Sequence, residues 1–277
     1  MEKIGVVGLG AMGLPMAKTL AASSFDVIGF DVSAPRRARF DPCAASIDGL
    51  ADRDAVVLSL PNDAVVSDVA GQLFDRLSRG ATIIDTSTVA PATTRGLQDR
   101  AAQHGIGYVD APVSGGAAGA EMGTLLVMAG GRPEDIQRVH IVLDALARSV
   151  VVCGGPGAGN VVKLINNMMC AGHLILAGEA LRLADEGGVA TDELVNALNA
   201  GSGRSAVTEV NLPRWVLSDT FDSAFSMALM TKDVGLAAHL DGAGPVAREV
   251  AGRWQRATDE IGGAEDFNRM AKHRVDD

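Results

Sequence analysis

The stretch VVGLGAMGLPMAK, residues 6–18, decides the fold. It contains the pattern G-x-G-x-x-G at Gly8, Gly10 and Gly13, directly after the apolar run KIGVVG at 3–8 and directly before a helical stretch. The pattern alone is weak evidence because glycine is plentiful in this chain. Its place between a predicted strand and a predicted helix strengthens it. A strand, a tight glycine turn and a helix in this order predict the first unit of a dinucleotide-binding domain.

Each glycine of this turn has a separate expected role. Gly8 makes the tight turn, Gly10 lets a pyrophosphate approach the backbone, and Gly13 lets the helix pack closely on the strand. The N–H groups at the start of the helix would face the anion. The candidate cofactor-binding residues of the turn are therefore Gly8, Leu9, Gly10, Ala11, Met12 and Gly13.

An acidic residue stands where a ribose-binding carboxylate is expected. Asp31 ends the second predicted strand, FDVIGFD at 25–31, and lies 18 residues after Gly13. Its carboxylate can accept both ribose hydroxyls and would repel a 2′-phosphate, which favours NAD over NADP. Arg36 and Arg37 lie just beyond and weaken this preference, so NADP stays open as the alternative cofactor.

Alternating apolar runs and helical stretches fill the first half of the chain. Strand-like runs follow at 55–61, 81–87, 105–113, 123–131 and 149–153, and helix-compatible stretches lie between most of them, for example at 63–79, 91–104 and 133–147. This alternation predicts a Rossmann-type α/β fold, a doubly wound and mostly parallel sheet with helices on both faces.

The pattern changes near residue 155, where the strand-like runs stop. Helical stretches follow at 158–186, 191–200, 227–241 and 244–261. We therefore predict two domains: a dinucleotide-binding domain over 1–155, and an all-helical C-terminal domain over 156–277 that starts with a long helix.

Composition excludes several classes of protein. The 277 residues are 47% hydrophobic, which is typical of a globular chain with one large domain or two ordinary ones. A net charge of −10 argues against a nucleic-acid partner. Three cysteines without a CxxC pair favour a reducing, cytoplasmic setting. No apolar run reaches the ~20 residues of a spanning helix, so we expect no membrane partner.

A second glycine-containing loop, DAPVSGG at 110–116, follows a predicted strand. Ser114 offers a hydroxyl, and Gly115 and Gly116 offer unobstructed backbone N–H groups. Together they suit a small carboxylate held in a backbone nest. An ordinary loop between strands explains this stretch equally well.

The segment GAGNVVKLINN, at 157–167, places Lys163 on a helix that is apolar around nearly its whole circumference and is therefore predicted to be buried. In one interpretation its stem lies along the core and its ammonium reaches water. In the other its head is partly desolvated in a cleft. Burial disfavours a charged amine, so such a lysine can exchange a proton with a substrate hydroxyl. Asn167 at i+4 and Asn166 at i+3 lie close enough to bind the same substrate.

Together these motifs resemble the β-hydroxyacid dehydrogenase family, which includes 3-hydroxyisobutyrate dehydrogenase and tartronate semialdehyde reductase. GLGAMGLPMA resembles its cofactor signature, DAPVSGG its substrate-carboxylate loop and GAGNVVKLINN its catalytic helix. KDVGLA at 232–237 resembles its element near the nicotinamide. The four motifs occur in the family's order and cover almost the whole chain.

The resemblance implies a role for each of these residues. Lys163 would be the general acid/base, and Asn167, helped by Asn166, would orient the substrate. The substrate carboxylate would be held by Ser114, Gly115 and Gly116. Further cofactor contacts would come from Leu60, Pro61, Thr88 and Lys232, with Asp233 as a structural partner of Lys232. The family also implies a homodimer or homotetramer built through the C-terminal helical domain.

The expected reaction is hydride transfer between NAD and the 3-hydroxyl (semialdehyde) carbon of a small 3-hydroxy acid such as 3-hydroxyisobutyrate. We expect no metal, because the lysine ammonium supplies the positive charge. The alternative is an NADPH-dependent semialdehyde reductase of the tartronate, succinic or glyoxylate type. A non-catalytic NAD(P)-binding module has less support because Lys163 is present, whereas similar imine reductases lack this lysine. Arg204 or Ser205, in the stretch 201–209, either reaches the pocket or lies in an exposed loop.

Overall fold

The computed structural model describes residues 2–274, and the chain divides into two compact units, Met1–Lys163 and Leu164–Asp277. The division falls inside the long helix Ala158–Glu186. The domain boundary between residues 155 and 156 stays a sequence prediction. Residues 156–163 belong to the first compact unit. The N–H groups of Gly157 and Asn160 donate to Asp110, which ends a strand of that unit.

The first unit contains one eight-stranded sheet. The strands are β1 Lys3–Val7, β2 Asp26–Phe30, β3 Ala55–Leu58, β4 Thr82–Asp85, β5 Gly107–Asp110, β6 Val113–Ser114, β7 Leu125–Gly131 and β8 Ala147–Gly154. Their order is β2-β1-β3-β4-β5-β7, with β6 and β8 also pairing with β7. Strands β1 to β5 are all parallel to their neighbours, as the alternating pattern predicts.

The sheet is mostly parallel, as the sequence predicts, and becomes mixed only at its last strands. Strand β7 runs antiparallel to β5 and β6 and parallel to β8. The register explains this: Asp110 pairs with Gly130 and Val113 pairs with Val127, so β5 and β6 follow one edge of β7 in a single register. The helix after β6 returns the chain as a hairpin connection instead of a parallel crossover.

Six helices accompany the sheet in its described residues. They are α1 Gly13–Ala22, α2 Ala34–Arg37, α3 Asp63–Phe74, α4 Pro91–His104, α5 Gly116–Met122 and α6 Pro133–Leu146, with a 3₁₀ turn at Ile47–Leu50. Their ends follow local sequence signals. Asn62 caps α3 by accepting the Val65 N–H at 3.0 Å. Proline begins both α4 and α6, and the left-handed Gly105 ends α4.

Both faces of the sheet are buried, as parallel strands require. Successive residues of β3 point to opposite faces: Val57 packs in one apolar cluster with Leu20 of α1, whereas Val56 packs in another with Leu97 of α4. The carboxyl ends of the strands are thereby held in fixed positions relative to each other.

The second unit is helical over its described residues, apart from an isolated β-bridge between Ser226 and Asp266. Its core surrounds the fully buried Trp254, which donates to the Ala171 carbonyl at 3.2 Å. The elements are the long helix α7 Ala158–Glu186, α8 Thr191–Ala200, a π-helix Val207–Val216, α9 Met227–Ala238, α10 Pro245–Ile261 and a 3₁₀ helix Phe267–Lys272. The π-helix was not predicted. It contains Pro213, which lacks the N–H that a regular helix needs.

Helix α7 is not buried all round, which corrects the sequence expectation. Five large apolar side chains on it are 38–69% exposed, namely Val162, Ile165, Met169, Leu176 and Leu183. By length and composition alone, α7 is the one helix within residues 2–274 that could cross a membrane. This is weak evidence, because core helices of water-soluble proteins meet the same criterion.

Candidate functional site

The glycine turn after β1 has the geometry that its sequence predicts. Gly8 has φ +92°, and a Cβ there would overlap the Ser59 carbonyl oxygen. A Cβ at Gly13 would overlap the Gly8 carbonyl oxygen, so α1 packs directly on the turn. A Cβ added at Gly10 would have no neighbouring group within 4 Å. The turn therefore has two glycines required for packing and one that leaves open space beside the backbone.

The start of α1 is free of competing side chains. No side chain caps this helix, and its first turn has no acidic residue. Helix N-termini have N–H groups without a partner inside the helix and a partial positive charge. Beside the open space at Gly10, this end is suited to a pyrophosphate.

The predicted cofactor residues lie at the carboxyl ends of adjacent strands. Strand β1 has β2 on one side and β3 on the other, so the connections leave it in opposite directions. Open α/β sheets bind their ligands at such a switch point. Gly8 follows β1, Asp31 follows β2, Leu60 follows β3 and Thr88 follows β4.

Asp31 is held in place by the backbone around it. It is 4% exposed, and its two oxygens accept the N–H groups of Leu9 and Ser33, each at 2.8 Å. An ionised carboxylate has about four lone-pair sites, so acceptor capacity remains for hydroxyl groups. The Arg37 guanidinium donates to the carbonyls of Asp31 and Val32, and the Arg36 guanidinium lies 3.6 Å from the Asp31 carboxylate.

The loop after β3 is tied to the end of β4. The Leu60 N–H donates to the Ser87 hydroxyl at 2.9 Å, and the Ser87 N–H donates to Asp85 at 3.0 Å. The Tyr108 hydroxyl donates to the same carboxylate at 2.9 Å. Burial raises the pKa of Asp85 to about 6, against the lowering effect of these hydrogen bonds. Asp85, Ser87 and Tyr108 were not predicted, although the polar run DTST at 85–88, where β4 ends, was a signal for the first two.

Pro61 and Thr88 stand on the same two loops as Leu60 and Ser87. Pro61 is exposed and Thr88 is half-buried. Lys232, by contrast, belongs to the second unit, on α9. The structure brings Leu60 and the Ser87–Thr88 loop together by the Leu60–Ser87 hydrogen bond.

The predicted carboxylate loop lies between β6 and α5 and has an exposed backbone. Ser114 lies at the end of β6, and the exposed Gly115 and Gly116 follow with φ +130° and +66°. Positive φ angles such as these are unfavourable for residues with a side chain, whereas glycine adopts them readily. Neither an acidic residue nor a side-chain cap occupies the start of α5. The backbone N–H groups there can hold a carboxylate.

Lys163 is buried, with 9% of its surface exposed, in the second turn of α7. The first turn of this helix is held by Asp110, which was not among the predicted site residues. Asp110, at the end of β5, accepts the Gly157 N–H at 2.9 Å and the Asn160 N–H at 3.0 Å. Burial raises the pKa of Asp110, and these N–H groups act in the opposite direction.

In the second unit, the two predicted asparagines belong to one hydrogen-bonded chain. The Asn166 side-chain NH₂ donates to the side-chain amide oxygen of Asn167 at 3.1 Å, and the Asn167 side-chain NH₂ donates to the Asp233 carboxylate at 2.6 Å. The Lys232 ammonium lies 2.9 Å from the other Asp233 oxygen, which fits the partnership that the resemblance implies. Asp233 is 2% exposed, so its charge orients both neighbours in a buried setting.

Arg204 is exposed, and its guanidinium lies 3.8 Å from Glu209. Ser205 instead joins a local turn, where its hydroxyl accepts the Thr208 N–H at 3.2 Å. The contacts of both residues are those of a loop between helices, which was one of the two interpretations of residues 201–209.

Two families match consecutive parts of the chain. Residues 3–155 match the NAD binding domain of 6-phosphogluconate dehydrogenase. Residues 157–274 match the NAD-binding domain of NADP-dependent 3-hydroxyisobutyrate dehydrogenase. Fold and site thus define the class of protein, an NAD(P)-dependent oxidoreductase.

Characterised relatives agree with this class. The chain is 35% identical to 2-(hydroxymethyl)glutarate dehydrogenase of Eubacterium barkeri, over 85% of this chain and 81% of that protein. It is 34% identical to the mitochondrial 3-hydroxyisobutyrate dehydrogenase of Drosophila melanogaster, over 85% and 76%. A structure of Mycobacterium tuberculosis 3-hydroxyisobutyrate dehydrogenase with L-serine has a TM-score of 0.89 and 30% identity, over 98% of both chains. The chain belongs to the β-hydroxyacid dehydrogenase family.

Proposed function

We propose that this protein oxidises a small 3-hydroxy acid with NAD and that Lys163 is its general acid/base. The observation that carries the proposal is the burial of Lys163, 9% exposed, in the unit that also contains the Gly8–Gly13 turn and the Ser114 loop. Burial disfavours the charged form of an amine, so a buried lysine loses its proton more readily than an exposed one. Lysines of this kind serve as acid/base catalysts.

The open turn at Gly10 and the uncapped start of α1 fit an NAD(P) pyrophosphate. When bound, the nicotinamide of NAD(P) supplies the hydride acceptor. The neutral Lys163 amine takes the proton of the substrate hydroxyl as the hydride leaves the same carbon. In the reverse direction the Lys163 ammonium returns that proton and stabilises the negative charge that develops on oxygen.

The substrate is held in this proposal by two groups of residues. Ser114, Gly115 and Gly116 bind its carboxylate through the hydroxyl and the backbone N–H groups. Asn167, one helical turn after Lys163, orients the hydroxyl end, and its own amide is oriented by Asn166 and Asp233.

The names of the relatives point to a common substrate class. 3-Hydroxyisobutyrate, 2-(hydroxymethyl)glutarate and L-serine all contain a CH₂OH group and a carboxylate on one carbon. We propose that this chain acts on such 2-substituted 3-hydroxypropanoates. The rate of NADH formation with each of these three compounds will show which substituent on the 2-carbon the enzyme prefers.

We propose that NAD is preferred over NADP because Asp31 is placed to accept ribose hydroxyls and to repel a 2′-phosphate. Arg37, which weakened this preference in the sequence, has its guanidinium engaged by two backbone carbonyls. Arg36 lies beside the Asp31 carboxylate and remains the residue that favours NADP. An NADPH-dependent semialdehyde reductase is the alternative that this arrangement disfavours.

We expect Asp31→Asn to lower the ratio of kcat/KM for NAD to that for NADP by about tenfold, the equivalent of about 1.4 kcal/mol. The change removes the charge that repels a 2′-phosphate and weakens acceptance of the ribose hydroxyls. Steady-state kinetics with both cofactors measure the ratio. Asp41→Asn, a change on the exposed segment after α2, is the control and should leave the ratio unchanged. A wild-type preference for NADP would contradict the proposed role of Asp31.

We propose that a second copy of the chain covers the exposed apolar stripe of α7. Its members recur at intervals of three, four and seven residues, the spacing of one helix face that packs on another helix. The family implies a homodimer or homotetramer. Three cysteines without a CxxC pair favour a reducing setting, so we propose the cytoplasm, without a membrane partner.

Light scattering should therefore give the wild type a mass that is a multiple of 28.5 kDa. Leu176→Glu, in the stripe, should shift the mass towards a smaller species because a charge would be buried without a partner. Val246→Glu is the matched control, since Val246 is also a highly exposed apolar residue, 76%, but lies on α10. A wild-type mass of 28.5 kDa, or binding of the wild type to lipid vesicles, would refute the proposal.

A further inference from the structure

We propose that Asp110 and Asn160 are positioning residues for proton transfer: together they fix the helical turn from which Lys163 extends. This inference rests on the proposed function of Lys163. It assigns the first residue of DAPVSGG a role other than binding substrate, and it assigns Gly159 a role in packing.

The Asp110 carboxylate caps α7 from a distant part of the sequence. Its two oxygens each accept an N–H of the first turn, from Gly157 and from Asn160, at 2.9 and 3.0 Å. The first N–H groups of a helix have no partner inside it, and a carboxylate there is favoured by the helix dipole. Asp110 is fully buried, so water does not compete for these hydrogen bonds. The start of α7 is thus fixed to the end of β5.

Bare backbone makes this close approach feasible. A Cβ at Gly130 would lie 2.7 Å from one Asp110 oxygen and 2.6 Å from the Gly159 nitrogen. A Cβ at Gly159 would lie 2.9 Å from the other Asp110 oxygen and would overlap the Met128 carbonyl oxygen. All of these contacts are closer than a side-chain Cβ tolerates. Gly159 of α7 and Gly130 of β7 are therefore required for the packing of α7 on β5 and β7.

Asn160 ties the same turn to a second loop. Its side-chain oxygen accepts the Val89 N–H at 3.1 Å, and its side-chain NH₂ donates to the Thr94 hydroxyl at 3.1 Å. Val89 directly follows Thr88, a predicted cofactor contact. Asn160 is fully buried, and both polar ends of its side chain are used.

These contacts converge on Lys163 and on the substrate loop. Lys163 is three residues after Asn160, and helical side chains lean toward the N-terminus, over the turn that Asp110 caps. Ser114 is four residues after Asp110 along the edge of β7. The Asp110 carboxylate therefore fixes the start of the helix that carries Lys163, and Asp110 is also the residue at which the carboxylate loop begins. A displacement of 1 Å in such a group can cost about 100-fold in rate.

The test is a double-mutant cycle on the whole enzyme, read from the single-turnover rate of NADH formation with 3-hydroxyisobutyrate at saturating NAD. Asp110→Asn keeps the size of the side chain but places an NH₂ group against one of the two N–H donors. We expect it to slow the wild type by about 10- to 100-fold, with the dissociation constant for NAD unchanged. In the Lys163→Ala background the same change should have no further effect on the rate, because the group it positions is absent.

Asp135→Asn is the matched control: Asp135 is also a buried carboxylate that accepts a hydrogen bond, from Arg138, but it lies on α6. It should leave the rate unchanged. An equal loss from Asp110→Asn in both backgrounds, or no loss in either, would overturn the positioning role. Full activity of Lys163→Ala would instead refute the proposed function itself, so the two failures are distinguishable.

Should Asp110→Asn fail to fold, Asn160→Ala carries the test. It keeps the backbone N–H that Asp110 accepts and removes only the bonds to Val89 and Thr94. At saturating NAD it should slow the rate in the Lys163 background and not in the Lys163→Ala background. A loss of equal size in both backgrounds would again contradict the inference.

Discussion

Lys163→Ala is expected to lower turnover of the 3-hydroxy acid by about 10²- to 10⁴-fold, the usual contribution of a general acid/base. The substrate hydroxyl would have to lose its proton to water while its hydride leaves. Binding of NAD should stay near the wild-type value, because the glycine turn and Asp31 are untouched. Cofactor titration by fluorescence and single-turnover kinetics measure the two effects separately.

Two further observations sharpen this test. Added ethylammonium buffer should restore part of the activity of Lys163→Ala, because a small amine can enter the space left by the side chain and accept the proton. Lys3→Ala removes an exposed lysine paired with Asp52 and should leave turnover unchanged. Unchanged turnover in Lys163→Ala would show that the proton goes to another group.

Gly10→Val is expected to weaken NAD binding by about 100-fold, the equivalent of about 3 kcal/mol. The new side chain would occupy the space through which the pyrophosphate reaches the backbone. The fold should tolerate it, because no atom of the protein lies within 4 Å of a Cβ at this position. Calorimetric titration gives the affinity, and thermal unfolding reports whether the fold is retained.

Gly96→Val is the matched control for the Gly10 change. Gly96 also has no atom within 4 Å of a built Cβ, but it lies on α4, away from the glycine turn. This variant should bind NAD as the wild type does. Normal affinity in Gly10→Val would place the pyrophosphate elsewhere and would refute the assigned role of the turn.

The sequence predicted those parts of the fold and site that depend on residues close together in the chain. The turn at Gly8–Gly13 and the strand that precedes Asp31 are encoded within about 30 residues, since glycine spacing and apolar runs specify them. The pairing of β5 with β7 was not predicted, because antiparallel and parallel buried strands have the same apolar pattern.

The supporting contacts of the site were missed for a related reason. Asp110 meets Asn160 across 50 residues of sequence, and Asn167 meets Asp233 across 66. Such pairs are determined by the register of the strands and the packing of the helices, which no local pattern records. The exposed stripe of α7 was hidden in the same way: the apolar residues are visible in the sequence, but the sides that the chain itself covers are not.

The most direct measurement is a crystal structure of the enzyme with NAD⁺ and a slow 3-hydroxy acid substrate. We predict that the Lys163 Nζ lies about 2.6–3.2 Å from the substrate hydroxyl oxygen, the distance at which a proton can pass. A substrate hydroxyl that is hydrogen-bonded to a different titratable side chain, with the Lys163 amine turned away from it, would contradict the proposed role of Lys163.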